Sequence, residues 1–278
     1  MMRSAIGSRL AGFCLLLSSL AASAASPEFP DAVENARLLG TTPLKGQLFH
    51  VQGVELDEER IWVTSVSRWR GKGYIHEFDR ATGAFRRRLE LTDGPRFHPG
   101  GIAMHGNSIW VPVAEYKAGS SAVLLEVDKT SLQVRRRIQV ADHLGCVAAT
   151  GSTLIAGNWD SRLFYIFDLT GAKPVRAVRN PTRTRYQDMK LVNGQLVAGG
   201  LLTGQSGAID WIDLDSLTPT RTLRTGATAS DGPMRPARAF TGEGMAIQGR
   251  DLYLVPEDGP SRVYHFRLDS GIGAVAMR

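Results

Sequence analysis

The sequence predicts an all-β fold, a five-bladed β-propeller with four-stranded blades, on three observations. One register recurs five times: Gly53, Gly101, Cys146, Asp188 and Gly244 are each followed by an apolar residue and, eight positions on, by Ile or Leu. The blocks read QGVELDEERIWV, GGIAMHGNSIWV, GCVAATGSTLIA, QDMKLVNGQLVA and EGMAIQGRDLYL. Successive anchors lie 42 to 56 residues apart, the length of one propeller blade. The last unit lacks a fourth strand, and a matching segment stands near the start of the chain.

Taken in chain order, residues 1–24 read as an export signal. Arg3 and Arg9 supply the charge, Leu10 to Leu20 the apolar middle, and Ala22-Ser23-Ala24 the small-residue cleavage site. The apolar stretch is too short for a bilayer core of about 30 Å. No later segment is long enough either, so no membrane insertion is expected of the mature form. Cys14 lacks the context of a lipid-modified cysteine. Residues 25–278 are then expected to form a single propeller domain. Cys146 alone survives cleavage, which excludes an internal disulfide, and its small apolar neighbours make it a packing residue.

The blade units are expected near 47–91, 96–140, 143–179, 185–224 and 240–268, with a closing strand at 36–43. In the first unit the strands fall near 51–56, 60–66, 73–79 and 84–91, from period-2 alternation between turn signals. His105-Gly106-Asn107, Asn193-Gly194 and Gln248-Gly249-Arg250 are turns between first and second strands, where Gly and Asn supply positive φ. Third strands end at Asp79, Asp128, Asp168 and Asp213, each followed shortly by Ser or Thr, the pattern of a side-chain-capped turn. Ala36 to Thr41 stands ahead of Gly53 much as Phe85-Arg86 stands ahead of Gly101, so the N-terminal segment should complete the last blade.

The formal net charge is +6, concentrated in Arg86-Arg87-Arg88 and Arg135-Arg136-Arg137. Both triplets fall on outermost strands of separate blades, where they read as solvated edges. A nucleic-acid surface would need a continuous basic stripe interleaved with aromatics, so no nucleic-acid partner is expected.

Chain direction in a propeller gathers the link into each blade and the loop after its second strand on one face. The blade starts place His50, Gln52, His98, His143, Gln187, Asp188 and Glu243 there. The second-strand exits add Ser67, Arg68, Trp69, Glu115, Tyr116, Asn158, Trp159, Asp160, Glu257 and Asp258. Polar groups converging on a concavity are the signature of a site. His50, His98 and His143 share one register, open to reading as pocket residues, as a three-histidine metal site or as strand caps. Glu115, Asp188, Glu243 and Glu257 could supply an acid–base pair or a calcium site in the channel, or could pair with Arg68, Arg185 or Arg262. No cofactor is specified beyond that divalent cation, and the metal stays unassigned. The Gly- and Pro-rich stretch from Thr225 to Ala239 reads either as a cover over the mouth or as a surface insertion.

At FHVQGV (Phe49 to Val54) and FTGEGM (Phe240 to Met245) the chain resembles the secreted five-bladed glutamine cyclotransferases (glutaminyl cyclases) of plants and bacteria. It is equally similar to uncharacterised exported propellers of that broad group. The resemblance implies a five-bladed fold, export and cyclisation of a small substrate. Gln52 matches that family's first aromatic-x-Gln-Gly signature, and Asp188 aligns with the first glutamate of its fourth-blade Asn-Glu-x-Glu segment. Lys190 stands where the second glutamate would be, Pro99-Gly100-Gly101 lacks the second-blade acid, and Glu243 lies in the fifth blade instead. Six-bladed lactonase-like propellers are a looser likeness through the residue types of Asn158, Asp188 and Glu243.

The expectation is therefore an exported, monomeric propeller, periplasmic or extracellular, whose mouth takes a small polar ligand or substrate. As a cyclotransferase or hydrolase it would use Glu243 and Asp188 as acid and base. His50, Gln52, His98, Glu115, Tyr116, Asn158, Trp159, Gln187 and Glu257 would form the binding surface. The alternative is a noncatalytic propeller that binds a ligand or a protein at the same face.

Overall fold

The computed structural model describes residues 32–170, 174–230 and 236–270. The expected leader, residues 1–24, lies outside the described residues. In chain order β1 (Ala36–Pro43) precedes a first blade of β2 (His50–Leu56), β3 (Arg60–Ser67), β4 (Lys72–Asp79) and β5 (Phe85–Glu90). The second blade holds β6 (His98–Pro99), β7 (Ala103–His105), β8 (Ser108–Ala114), β9 (Ala122–Asp128) and β10 (Val134–Val140). The third is β11 (Leu144–Ala149), β12 (Thr153–Asn158), β13 (Leu163–Asp168) and β14 (Pro174–Arg179). The fourth is β15 (Arg185–Val192), β16 (Gln195–Leu201), β17 (Gly207–Ile212) and β18 (Pro219–Thr225). The fifth is β19 (Gly244–Gln248), β20 (Asp251–Val255) and β21 (Arg262–Leu268), completed by β1.

Five antiparallel sheets thus stand around one axis, as the repeat predicts. Closure follows the expected route: β1 pairs antiparallel with β21, from Ala36 opposite Leu268 to Pro43 opposite Arg262. Without this pairing β21 would expose a whole row of unpaired backbone groups.

Burial explains the strand patterns. Inner strands such as β3 and β8 are buried at almost every position, because both faces of a blade's inner half are covered by neighbouring blades. Outer strands such as β10 alternate exposed with more covered positions because one face meets water. The core is accordingly divided into interblade clusters. Trp110, Leu124, Leu154 and Phe167 fill the junction of blades 2 and 3, and Leu56, Phe78, Tyr253 and Val263 that of blades 5 and 1. The outer-strand arginines are partnered rather than aligned in a stripe: Arg86 reaches Asp79 at 2.7 Å and Arg87 reaches Glu77 at 2.7 Å.

The aspartates at the third-strand ends cap turns as expected. Asp79 accepts from the Thr82 amide and hydroxyl at 2.9 and 2.8 Å, and Asp213 does the same for Ser216 at 2.9 and 2.8 Å. Cys146 is fully buried, and burial pushes its thiol up to about 12.

The anchors meet at the axis. A Cβ on Gly53 would lie 2.7 Å from the Gly101 Cα, and one on Gly101 would lie 2.3 Å from the Gln187 carbonyl oxygen. Only hydrogen fits there, which is why glycine marks these anchors. In blade 2 the inner strand is split between β6 and β7. Pro99 has no N–H to give, and the chain turns inward so that the Gly101 amide donates to the Gly145 carbonyl at 2.9 Å.

Candidate functional site

Two polar clusters lie on the axis, one sealed and one open. The sealed cluster is built by Asp188, which is fully buried. Its Oδ2 accepts from the amides of Val54 at 3.0 Å and Met245 at 3.1 Å; its Oδ1 accepts from the Met189 amide at 2.9 Å and the Lys190 Nζ at 2.7 Å. Lys190 also donates to the Ile102 carbonyl and lies 3.7 Å from Glu55 Oε1. The residue after four of the five anchors is therefore tied to this pair, and the Val147 amide, after the fifth, donates to Gly101. Burial pushes Asp188 up to about 7, against the pull of Lys190 and the two cross-blade amides.

Lys190 bears on the calcium expectation. A divalent cation in the channel would draw on Asp188 and its neighbours, and the ammonium of Lys190 already meets that charge. Among the described residues no group of three or more His, Cys, Asp or Glu side chains is arranged to hold a metal ion.

The open cluster lies at the mouth and joins blades 1, 2 and 5. Glu243, immediately before the anchor of blade 5, sits with Oε1 3.8 Å from His50 Nε2 and accepts at Oε2 from Gln52 Nε2 at 3.3 Å. Gln52 Nε2 also donates to the Val51 carbonyl at 2.8 Å, which fixes the amide so that its Oε1 faces His98 Nε2 at 2.9 Å. His98 therefore donates from Nε2, and its Nδ1 is a buried lone pair with no partner. On the other side His50 Nδ1 lies 2.9 Å from Asp258 Oδ1, and Arg238 donates to Asp258 Oδ2 at 3.0 Å. The resulting line runs Arg238, Asp258, His50, Glu243, Gln52, His98.

Its electrostatics are uneven. Burial raises Glu243 to about 8, with the His50 charge opposing and Asp258 reinforcing, so the carboxyl is largely protonated at neutral pH. Burial pulls His50 down, but the Asp258 hydrogen bond and the charges of Glu243 and Asp258 outweigh it and raise the imidazole. His98 is lowered to about 3, by burial first and then by His143 and His50, and stays neutral. Asp258 is lowered: its bond to His50 and the charges of His50 and Arg238 outweigh burial.

An aromatic wall backs His98. Tyr116 lies 4.3 Å from it between ring centroids, His143 5.5 Å and Trp159 6.5 Å, while Arg68 stacks 4.6 Å from the Tyr116 ring. His143 is itself occupied, with Nδ1 on the carbonyls of Glu115 and Lys117 at 3.0 and 3.1 Å.

Of the residues singled out in the sequence, Glu243, His50, Gln52, His98, Tyr116 and Trp159 are brought together. Others are engaged elsewhere. Asp188 is sealed below in the channel. The Glu115 carboxylate holds Ser121 and Lys117, at 2.8 and 3.0 Å. Glu257 is clamped by Arg262 and Tyr264 at 2.5 and 2.9 Å, the arginine pairing weighed as an alternative. Asn158 bonds Asp142 at 2.9 Å and the Leu163 amide at 2.8 Å. The Gln187 side chain turns back on its own strand and donates to the Arg185 carbonyl at 3.4 Å. Sequence reasoning missed Arg238 and the central part of Asp258. The signal was the acid directly after Glu257 at a blade exit and the arginine at the end of the Pro-rich loop.

The fold and its mouth define an all-β, five-bladed propeller with a titratable cluster at one end of a plugged channel. The profile of a family of unknown function (DUF6454) matches residues 45–195, and the chain belongs to that family. No curated protein sequence matches the chain. Among solved structures it is similar to the glutaminyl cyclase of Myxococcus xanthus, with a TM-score of 0.61 and 15% identity over 84% of this chain and 96% of that one. The WD40 domain of Neurospora crassa Pan2 superposes with a TM-score of 0.44 and 9% identity, covering 87% of this chain and 98% of that chain. BamB of Moraxella catarrhalis gives 0.41 and 12%, covering 82% and 61%.

Proposed function

We propose that the mouth is the active site of an acid–base enzyme acting on a small polar amide, of cyclotransferase type, with hydrolysis as the related outcome when water replaces the internal nucleophile. The observation that carries this reading is Glu243: a buried carboxyl, protonated near neutral pH, held between the His50–Asp258 pair and the oriented Gln52 amide. An acid poised near the working pH is what proton transfer to a poor leaving group requires.

In the cyclisation, the substrate's amine nitrogen attacks its own side-chain amide carbon. Glu243 gives its proton to the departing nitrogen, the carbon–nitrogen bond breaks, and ammonia leaves. The Glu243 carboxylate then takes the proton shed by the attacking amine, so the enzyme ends as it began. His50, held by Asp258 and Arg238, stabilises the transient carboxylate. His98, donating from Nε2, orients the Gln52 amide toward the substrate, and Tyr116 and Trp159 form the apolar wall. Asp188 holds the strands that carry Gln52 and Glu243. Export, from the leader read at residues 1–24, and a monomeric state complete the proposal.

Incubation with an N-terminal glutaminyl dipeptide, read by ammonia release, tests it. Glu243→Gln should lower kcat by about 100-fold or more while substrate still binds. Turnover indifferent to that change would end the acid–base reading. A noncatalytic ligand-binding propeller is favoured by one observation, that Asp188 is sealed away and Glu243 stands without a second free carboxyl beside it. That reading predicts binding weakened by His50→Ala and no turnover.

A further inference from the structure

We infer that a second site, in the cleft between blades 3 and 4, binds a compact, multiply phosphorylated small molecule. A cavity of about 630 Å³ opens there, lined by Arg162, Arg179, Arg183 and Arg185 together with Asn180 and the acid Asp160. Its size is that of an ordinary small-molecule pocket. It involves neither Glu243 nor His50 and does not depend on the reading of the mouth.

The charge balance sets this cleft apart. Many arginines elsewhere are matched, Arg86 with Asp79, Arg87 with Glu77, Arg96 with Asp93, Arg262 with Glu257 and Arg267 with Asp251, and the cleft gathers four that are not. Among the described residues, the four guanidiniums of the cleft meet no carboxylate, no carbonyl and no aromatic ring. Four positive charges around one concavity repel each other, and one aspartate on the wall offsets a quarter of them. A multivalent anion relieves that repulsion, and guanidinium forks match the oxygen spacing of phosphate groups.

The walls are built firmly although the arginine tips reach solvent. The link from β14 to β15 carries Arg183 and is locked by Asn180. Its Oδ1 accepts from the Thr182 amide and hydroxyl, both at 2.9 Å, and its Nδ2 donates to the Thr184 carbonyl at 3.1 Å. Thr184 is buried and donates to Asp210 at 3.0 Å. The opposite lip is the turn after β12, where Asp160 and Ser161 both take positive φ, 56° and 50°, a conformation that non-glycine residues rarely adopt twice in succession. Ser161 is fastened there by its hydroxyl on the Tyr186 carbonyl at 2.9 Å. This turn brings Asp160 and Arg162 to the cleft, and backbone strain of this kind gathers at ligand sites.

Titration with inorganic pyrophosphate and tripolyphosphate at 150 mM salt, followed by calorimetry, tests the inference. Both should bind at least 10-fold more tightly than orthophosphate. Arg183→Ala/Arg185→Ala should weaken binding at least 10-fold with an unchanged Tm, while Glu243→Gln should leave it as it is. Arg37→Ala/Arg224→Ala, which removes two exposed arginines outside the cleft, is the control and should change binding less than 2-fold. No binding of either polyanion at millimolar concentration would overturn the inference. So would equal losses in the two double variants, because net charge alone would then explain the affinity.

Discussion

Asp188 and Glu243 stand at the inner starts of adjacent blades, the first fully buried and the second partly exposed, and both are pushed upward in pKa, yet they serve opposite ends. Asp188 is surrounded by fixed donors: three backbone amides and a buried ammonium. Glu243 is surrounded by groups that can themselves gain or lose a proton or rotate: His50, Gln52 and, beyond them, Asp258 and His98. Saturation by backbone makes a clamp; a titratable, half-open surrounding makes a reactive group. The two lie one position apart in the repeat, Asp188 at an anchor and Glu243 just before one, and the partners met at each position decide which of the two a carboxylate becomes.

The comparison breaks most sharply at Asp188. Asp188→Ala removes the acceptor that joins blades 1, 4 and 5 and leaves the Lys190 ammonium buried without its closest partner. Orphaning one member of a buried pair costs about 3–5 kcal/mol, so urea unfolding should show a large fall in the midpoint or no folded protein. Asp188→Asn combined with Lys190→Met should cost clearly less than the sum of the single changes, because no charge is left alone. Additive losses would show that the two side chains do not act as a unit.

Glu243 gives a smaller effect with a defined pH window. Its folded pKa, about 8, lies above its ordinary value of 4.5, so between those limits the folded state binds the extra proton. Stability from this group is therefore complete below about pH 4.5 and is lost as pH rises through 8. By linkage the full shift would correspond to about 5 kcal/mol, an upper bound that solvent screening of the partly exposed carboxyl lowers. Glu243→Gln keeps a neutral side chain of the same shape and should flatten that decline, so that the variant melts higher than the parent at pH 9 while losing turnover. Equal slopes from pH 5 to 9 in the two proteins would mean that Glu243 ionises freely. On the acid side His98, lowered to about 3, and His76, lowered to about 3 by burial first and then Arg88, act in reverse, since unfolding lets them take protons as pH falls below 6.5.

The ring itself was legible because every blade repeats the same local rules. Gly53 and Gly101 mark close backbone approach, Asp79 and Asp213 mark capped turns, and the segment at 36–43 fits the place of the missing strand. The same register put His50, Gln52, His98 and Glu243 on one face, since face is a property of chain direction. It could not separate Asp188 from Glu243, because depth along the axis is set by which neighbours reach in. Lys190 reaches Asp188 from two residues away on the same strand, and Asp258 and Arg238 reach His50 from more distant loops. Glu115, Asn158 and Glu257 share the face but are bound by residues on their own loops or hairpins, a competition that spacing does not display.

The finest difference between the two clusters is whether a neighbour tunes the acid's partner. Lys190 has Glu55 beside it, buried and raised in pKa by burial, whereas His50 has Asp258, which Arg238 in turn keeps ionised. Asp258→Asn keeps a hydrogen-bond acceptor for His50 Nδ1 and removes the charge. The His50 imidazole should then titrate lower, as burial is no longer outweighed, and Glu243 should titrate lower as well because the nearby negative charge that raises it is gone. Imidazole and carboxyl chemical shifts followed by NMR across pH 5 to 9 read both effects in one experiment. A fall in both pKa values with little change in melting temperature is the expected outcome. Unmoved values would confine the Asp258 contact to structure and leave Glu243 governed by burial and His50 alone.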